Sequence, residues 1–121
     1  MAPEPATVAI GPDLTARRRG FAAVRLTGTG IWGKPKNEAE ARRVLLRAAE
    51  LGVNFIDTAD SYGPHVNEEL IANVLAPYSK GLVVATKGGL VRPGPDHWDR
   101  DARPGPRQAV RRRVRAVELP C

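Results

Sequence analysis

Cysteine is almost absent from this chain. The single one, Cys121, is the last of 121 residues. A disulfide framework and a cysteine metal site are both excluded. Aromatic residues are scarce, at 5%. Long apolar runs are missing too. The longest uncharged stretch, residues 70–79, has ten residues, about half of what a membrane-spanning helix needs. No basic start followed by an apolar stretch lies near Met1, so no secretory signal is expected. A soluble cytoplasmic protein is the expectation. Acidic residues are depleted at one end. Residues 102–121 hold six arginines and one acid, Glu118, leaving +5 there and +1 for residues 1–101.

What remains is ordinary globular composition, 42% hydrophobic and 26% charged, in a length that allows one domain. The basic tail could neutralise phosphates. It has no aromatic residue for base stacking and no recognition motif around it, so nucleic-acid binding is not expected.

Residues 1–6 read as a flexible, proline-rich N-terminus. Two short extended runs, 7–10 and 14–17, flank Gly11-Pro12-Asp13 and predict a small hairpin. Residues 21–26 read as a strand and 27–36 as a loop broken by Gly28, Gly30, Gly33 and Pro35. Asn37 is a good helix cap, with Glu40 three residues on as in a capping box. Val44, Leu45, Ala48 and Leu51 form the apolar stripe of that helix, and Gly52 stops it. Residues 53–57 predict a mostly apolar strand, followed by a polar loop over 58–64. Asn67 is expected to cap a second helix that runs to about Ala76, before Pro77. Residues 82–86 predict a third strand, broken by Lys87-Gly88-Gly89. This order predicts an α/β fold built from βαβ units around a parallel sheet. Residues 91–106 are proline-rich and predict no element, while 108–119 has helical propensity without an apolar stripe.

Two constellations carry chemistry. Gly28-Thr29-Gly30-Ile31-Trp32-Gly33 matches G-x-G-x-x-G after a strand, but the helix begins only at Asn37. A dinucleotide fingerprint needs a helix opening inside the motif. It reads as a glycine-rich loop, with closure over a ligand as the alternative. The stronger set is Asp57, Tyr62 and Lys87. Asp57 ends the second parallel strand and Lys87 the third, and α/β folds place ligands at those ends. An aspartate at a buried strand end needs a partner, which the lysine supplies. A tyrosine beside that lysine has its phenolate favoured and can give a proton to a carbonyl oxygen. The alternative is a buried structural ion pair with a bystander tyrosine.

These residues resemble a known family. The run Gly52-Val-Asn-Phe-Ile-Asp57-Thr-Ala-Asp-Ser-Tyr62-Gly is similar to the signature of the aldo-keto reductases around their catalytic aspartate and tyrosine. Val84-Ala-Thr-Lys87-Gly-Gly looks like the stretch holding their catalytic lysine. Leu26-Thr-Gly-Thr-Gly-Ile-Trp-Gly and Gly89-Leu-Val-Arg-Pro-Gly-Pro-Asp-His-Trp look like bacterial members. The likeness covers about residues 7–104. It implies the N-terminal portion of a (β/α)8 TIM barrel that binds NADPH without a Rossmann domain. Hydride would pass to an aldehyde or ketone while Tyr62 gives the proton, Lys87 favours the phenolate and Asp57 pairs with Lys87. Ala22, Ala23 and Val24 match the family stretch that touches the nicotinamide, with Asp57 beside them. The family usually has glycine where Ala22 stands.

The resemblance also has an end. A whole barrel takes about 250 residues, and this chain supplies three strands and two or three helices. The family's catalytic histidine follows the fourth strand. Neither His65 nor His97 matches it, and both read as exposed. The family's sites for the cofactor phosphates lie later still. Residues 105–121, rich in Arg, Ala, Val and Pro, read as a GC-rich gene translated out of frame, with a frameshift near codon 105 and a premature stop. The leading expectation is a truncated NADPH-dependent carbonyl reductase, inactive alone, whose open sheet edge promotes self-association. The alternatives are a non-catalytic assembly module and, behind it, a basic nucleic-acid binder.

Overall fold

A computed structural model describes residues 6–100. The expected hairpin is present, with β1 (Thr7–Ile10) antiparallel to β2 (Leu14–Arg17). Next come β3 (Phe21–Ala22), α1 (Glu38–Glu50), β4 (Phe55–Asp57), α2 (Val66–Leu75) and β5 (Val83–Ala85). The strands β3, β4 and β5 form one parallel sheet in that order. Each strand is thus linked to its parallel neighbour through a helix, as the alternating pattern requires. The register sets Ala22 beside Asp57 and Asp57 beside Ala85, so the three C-terminal strand ends lie in a row.

The helix α1 forms as its sequence dictates. The Asn37 side chain accepts a hydrogen bond from the Glu40 amide at 3.0 Å, and Glu38 and Glu40 sit in the first turn. Its buried residues are Ala41, Leu45 and Ala48. Leu51, expected in the stripe, is 66% exposed, because the helix ends there and the chain turns at Gly52. The core joins Ala23, Leu26, Ala41, Leu45, Ile56, Leu70 and Ile71. Burying a side chain such as Leu45, Ile56 or Ile71 contributes about 1.5–3 kcal/mol.

Local backbone hydrogen bonds shorten the strands relative to the sequence pattern. The strand expected over 21–26 stops at Ala22, where a 3-10 turn (Ala23–Arg25) begins and the Leu26 amide bonds back to the Ala23 carbonyl. The strand expected over 53–57 begins at Phe55, because the Val53 amide is still bonded to the Ala48 carbonyl of α1. Asn54 faces three ways instead. Its side-chain oxygen accepts from the Arg17 amide at 2.8 Å, and its amide nitrogen reaches the carbonyls of Thr15 and Gly81.

Two expectations are corrected. Asn67 does not cap α2. The cap position is His65, in the left-handed region at φ 65, and it makes no side-chain capping bond. The Asn67 side chain is fully buried, donates to the Ala23 carbonyl at 2.6 Å and accepts from the Thr58 hydroxyl at 2.7 Å. It braces the end of β3 to the end of β4. The second correction concerns the proline-rich stretch, where β6 (Leu90–Gly94) and β7 (His97–Arg100) form a hairpin with an irregular register between Val91 and Gly94. Pro93 lacks an amide and sits within that irregularity. His97 is exposed, as expected. The expectations for the N-terminus over 1–5, the basic tail, the helix over 108–119 and the frameshift lie outside the described residues.

Candidate active site

The site grows from the row of strand ends. The chain leaves β4 at Asp57 with its carboxylate half-exposed, the side chain retaining 43% of its surface. The chain leaving β5 brings Lys87 to it. The Lys87 ammonium lies 2.7 Å from Asp57 Oδ1 and 2.7 Å from the Thr58 carbonyl. Its side chain is 52% exposed. The buried ion pair held open as the alternative is therefore not the arrangement present. Such a half-exposed pair contributes at most about 1 kcal/mol to stability. The two acceptors instead fix where the ammonium points.

Tyr62 is delivered by the loop after β4. That loop reads as polar, yet residues 58–61 are buried. Its backbone is tied to the neighbouring segments. The Thr58 amide bonds to the Ala85 carbonyl and the Asp60 amide to the Lys87 carbonyl. Gly63, next to Tyr62, has φ +110, and a Cβ there would lie 2.3 Å from the Val66 Cβ. Only glycine fits that turn. The Lys87 ammonium stands 5.5 Å from the centre of the Tyr62 ring. Tyr62 and Lys87 line a small cleft of 120 Å³, together with Gly88 and the hairpin residues Leu90 and Trp98.

The residues expected at the nicotinamide end lie beside this cluster. Ala22 is exposed and pairs in register with Asp57, and Val24 is half-buried. Ala23 is fully buried, with its carbonyl taken by Asn67. The glycine-rich segment holds a 3-10 turn (Thr29–Ile31) rather than a helix start.

Two buried charged residues escape the sequence pattern. Glu68, which reads as a first-turn helix acid, is 1% exposed and accepts from the Thr86 hydroxyl next to Lys87. Arg92 is 6% exposed and lies between two tryptophans, 3.8 Å from the Trp98 ring centre and 5.3 Å from that of Trp32. The sequence signal for Arg92 is its place in the block Gly89–Trp98 that looks like bacterial family members, with a tryptophan six residues on.

The comparisons with known proteins agree on one lineage. The model of the aldo/keto reductase family matches residues 25–117. The chain belongs to the aldo/keto reductase family. This aldo/keto reductase chain is 55% identical over 92 residues to an uncharacterized oxidoreductase of Schizosaccharomyces pombe, a match spanning 76% of the chain and 29% of that protein. It is 43% identical over 84 residues to the pyridoxine 4-dehydrogenase of Escherichia coli, covering 69% of the chain and 29% of that enzyme. Among solved structures it resembles the holo form of an aldo-keto reductase from Bacillus halodurans, with TM-score 0.70 and 28% identity over 90% of the chain and 35% of that protein. A glycerol dehydrogenase from Gluconobacter oxydans gives TM-score 0.71 and 29% identity, over 93% of the chain and 36% of the enzyme. The fold is thus the N-terminal portion of a (β/α)8 barrel in a family of NAD(P)H-dependent oxidoreductases. The chain spans about 29% of the length of these curated relatives.

Proposed function

We propose that this chain carries the proton-delivering part of an NADPH-dependent carbonyl reductase, with Tyr62, Lys87 and Asp57 as its catalytic residues. The observation that carries the reading is Lys87, held by Asp57 and the Thr58 carbonyl while facing the Tyr62 ring at the mouth of a cleft. The Tyr62 hydroxyl gives its proton to the oxygen of an aldehyde or ketone. The phenolate left behind faces the Lys87 ammonium and regains a proton from solvent. Asp57 keeps the ammonium in place. The product is the alcohol.

The same reading puts the nicotinamide end of the cofactor over this strand end, where the Ala22 methyl replaces the family's usual glycine. Ala22 is exposed in register with the half-exposed Asp57, and Val24 lies close in the chain. Ala22, Val24 and Asp57 would hold that end, on the backbone of Ala23. Reduced nicotinamide supplies the hydride that the carbonyl carbon accepts.

The chain alone should oxidise no NADPH. Residues 1–104, fused to the remaining part of the Schizosaccharomyces pombe relative, should restore reduction of a small aldehyde. In that fusion Tyr62→Phe should lower kcat by about 10²–10⁴, the usual contribution of a general acid. Lys87→Met should lower it too, with at most about 1 kcal/mol lost in stability. A Tyr62→Phe fusion that keeps full kcat would sink the reading.

A second reading rests on its own observation. A groove of 690 Å³ between α1 and β3 is lined by Phe21, Val44, Leu46, Leu51 and Val53, with Leu46 and Leu51 exposed. The chain would then serve as an assembly module whose partner polypeptide supplies the remaining strand and helix units. A stoichiometric complex that survives gel filtration and is lost in Leu46→Glu would favour it. A chain that elutes alone from its own cell extract would not.

A further inference from the structure

Arg92 is a buried guanidinium in a chain whose other described arginines are exposed or unremarkable in their partners. Its Nη1 donates to the Ile31 carbonyl, and its Nη2 donates to Gly30 O at 3.0 Å and Pro95 O at 2.6 Å. Its plane stacks on Trp98 and faces Trp32. Taking a guanidinium out of water is costly, and carbonyl dipoles with indole faces are the compensation. Two of the three acceptors are not local. Gly30 and Ile31 belong to the glycine-rich segment, some sixty positions earlier. Ile31 is a β-branched residue at φ 59, a strained conformation. Its carbonyl takes a second hydrogen bond from the Gly63 amide, one residue after Tyr62. One oxygen thus joins the glycine-rich segment, the Tyr62 loop and, through Arg92, the hairpin β6–β7.

The consequence lies in the cleft. The hairpin contributes Leu90 and Trp98 to its lining. Both are large apolar residues left 46% and 45% exposed. The cleft is far smaller than the roughly 300–1,000 Å³ of drug-sized pockets, so it admits little more than one ring or a short chain. A tryptophan fixed at the rim beside a tyrosine favours a flat π-face over a puckered aliphatic ring.

We infer that Arg92 is a positioning residue that pins the β6–β7 hairpin to the Tyr62 loop, making Trp98 a fixed wall that selects aromatic over aliphatic carbonyl compounds. The inference rests on the carbonyl-reductase reading of the same site and adds the substrate class. The test uses the full 121-residue chain, with acetophenone and cyclohexyl methyl ketone as matched probes. Their binding is followed through the amide resonances of Tyr62 and Gly88. Acetophenone should bind about two- to tenfold tighter, the size of an aromatic pair's contribution. Trp98→Leu should erase that preference, weakening acetophenone binding more than binding of the aliphatic ketone. Arg92→Met should erase it too and shift the Trp98 fluorescence to the red in a Trp32→Phe background, while Arg92→Lys should restore part of both. Equal affinity for the two ketones, no shift of either resonance, or a preference that survives Trp98→Leu overturns the inference. If Arg92→Met fails to fold, the Trp98→Leu and Arg92→Lys results decide it. A ketone preference alongside a Tyr62→Phe fusion of full activity would remove the proton-donor role and leave the wall standing. The opposite pair of results would remove the wall alone.

Discussion

Replacing Asn67 with alanine should cost this chain a large part of its stability. The side chain is fully buried and makes two hydrogen bonds, one to the Ala23 carbonyl and one from the Thr58 hydroxyl. Both partners are fully buried as well. Each bond contributes about 1 kcal/mol net, and the buried Thr58 hydroxyl left without its acceptor costs about 1–3 kcal/mol more, while the Ala23 carbonyl keeps the Leu26 amide. The truncation should therefore destabilise by roughly 3–5 kcal/mol. A domain of this size has about 5–15 kcal/mol in total. Urea unfolding, read by far-UV circular dichroism and tryptophan fluorescence, measures the difference through the midpoint at constant m. Thr58→Val keeps the shape and removes the donor, so it should cost about 1–2 kcal/mol. The double variant should cost about 1 kcal/mol less than the two losses taken together, since they share one bond. A loss under 1 kcal/mol for Asn67→Ala, or strict additivity with Thr58→Val, would refute the brace.

Gly63→Ala should be among the most damaging single changes in the fold, because its Cβ would meet Val66 at 2.3 Å at φ +110. Gly30→Ala, also at positive φ but with open space around it, should cost only about 1 kcal/mol, and thermal melts of the two side by side check the difference. Asn37→Ala removes the cap that holds the Glu40 amide and should lower stability by about 1 kcal/mol, with fraying of the first turn of α1 visible in amide exchange.

The parts of this fold that are legible in the sequence are those whose signals are local. The cap, stripe and stop of α1 all lie within residues 37–52, and the helix forms where they place it. Strand order follows from the βα alternation, and it suffices to bring Asp57 and Lys87 together across neighbouring strand ends. What is illegible depends on distant partners. Asn67 carries the residue type of a helix cap, and nothing local reveals that the Ala23 carbonyl, 44 positions away, claims its side chain. Nothing local marks Arg92 as buried, because its acceptors Gly30 and Ile31 are remote. The hairpin that bears it contains Pro93 and Pro95, which argue against a strand. A strand whose ladder is interrupted there can persist because Arg92 and Trp98 hold it from the side. The same distinction bears on the catalytic reading. Burial would have made the Asp57–Lys87 pair a structural element whose loss unfolds the chain. Half-exposed, it contributes little to the fold, in keeping with the role proposed for Lys87. For that reason a change at Lys87 should register in turnover, and a change at Asn67 in the melt.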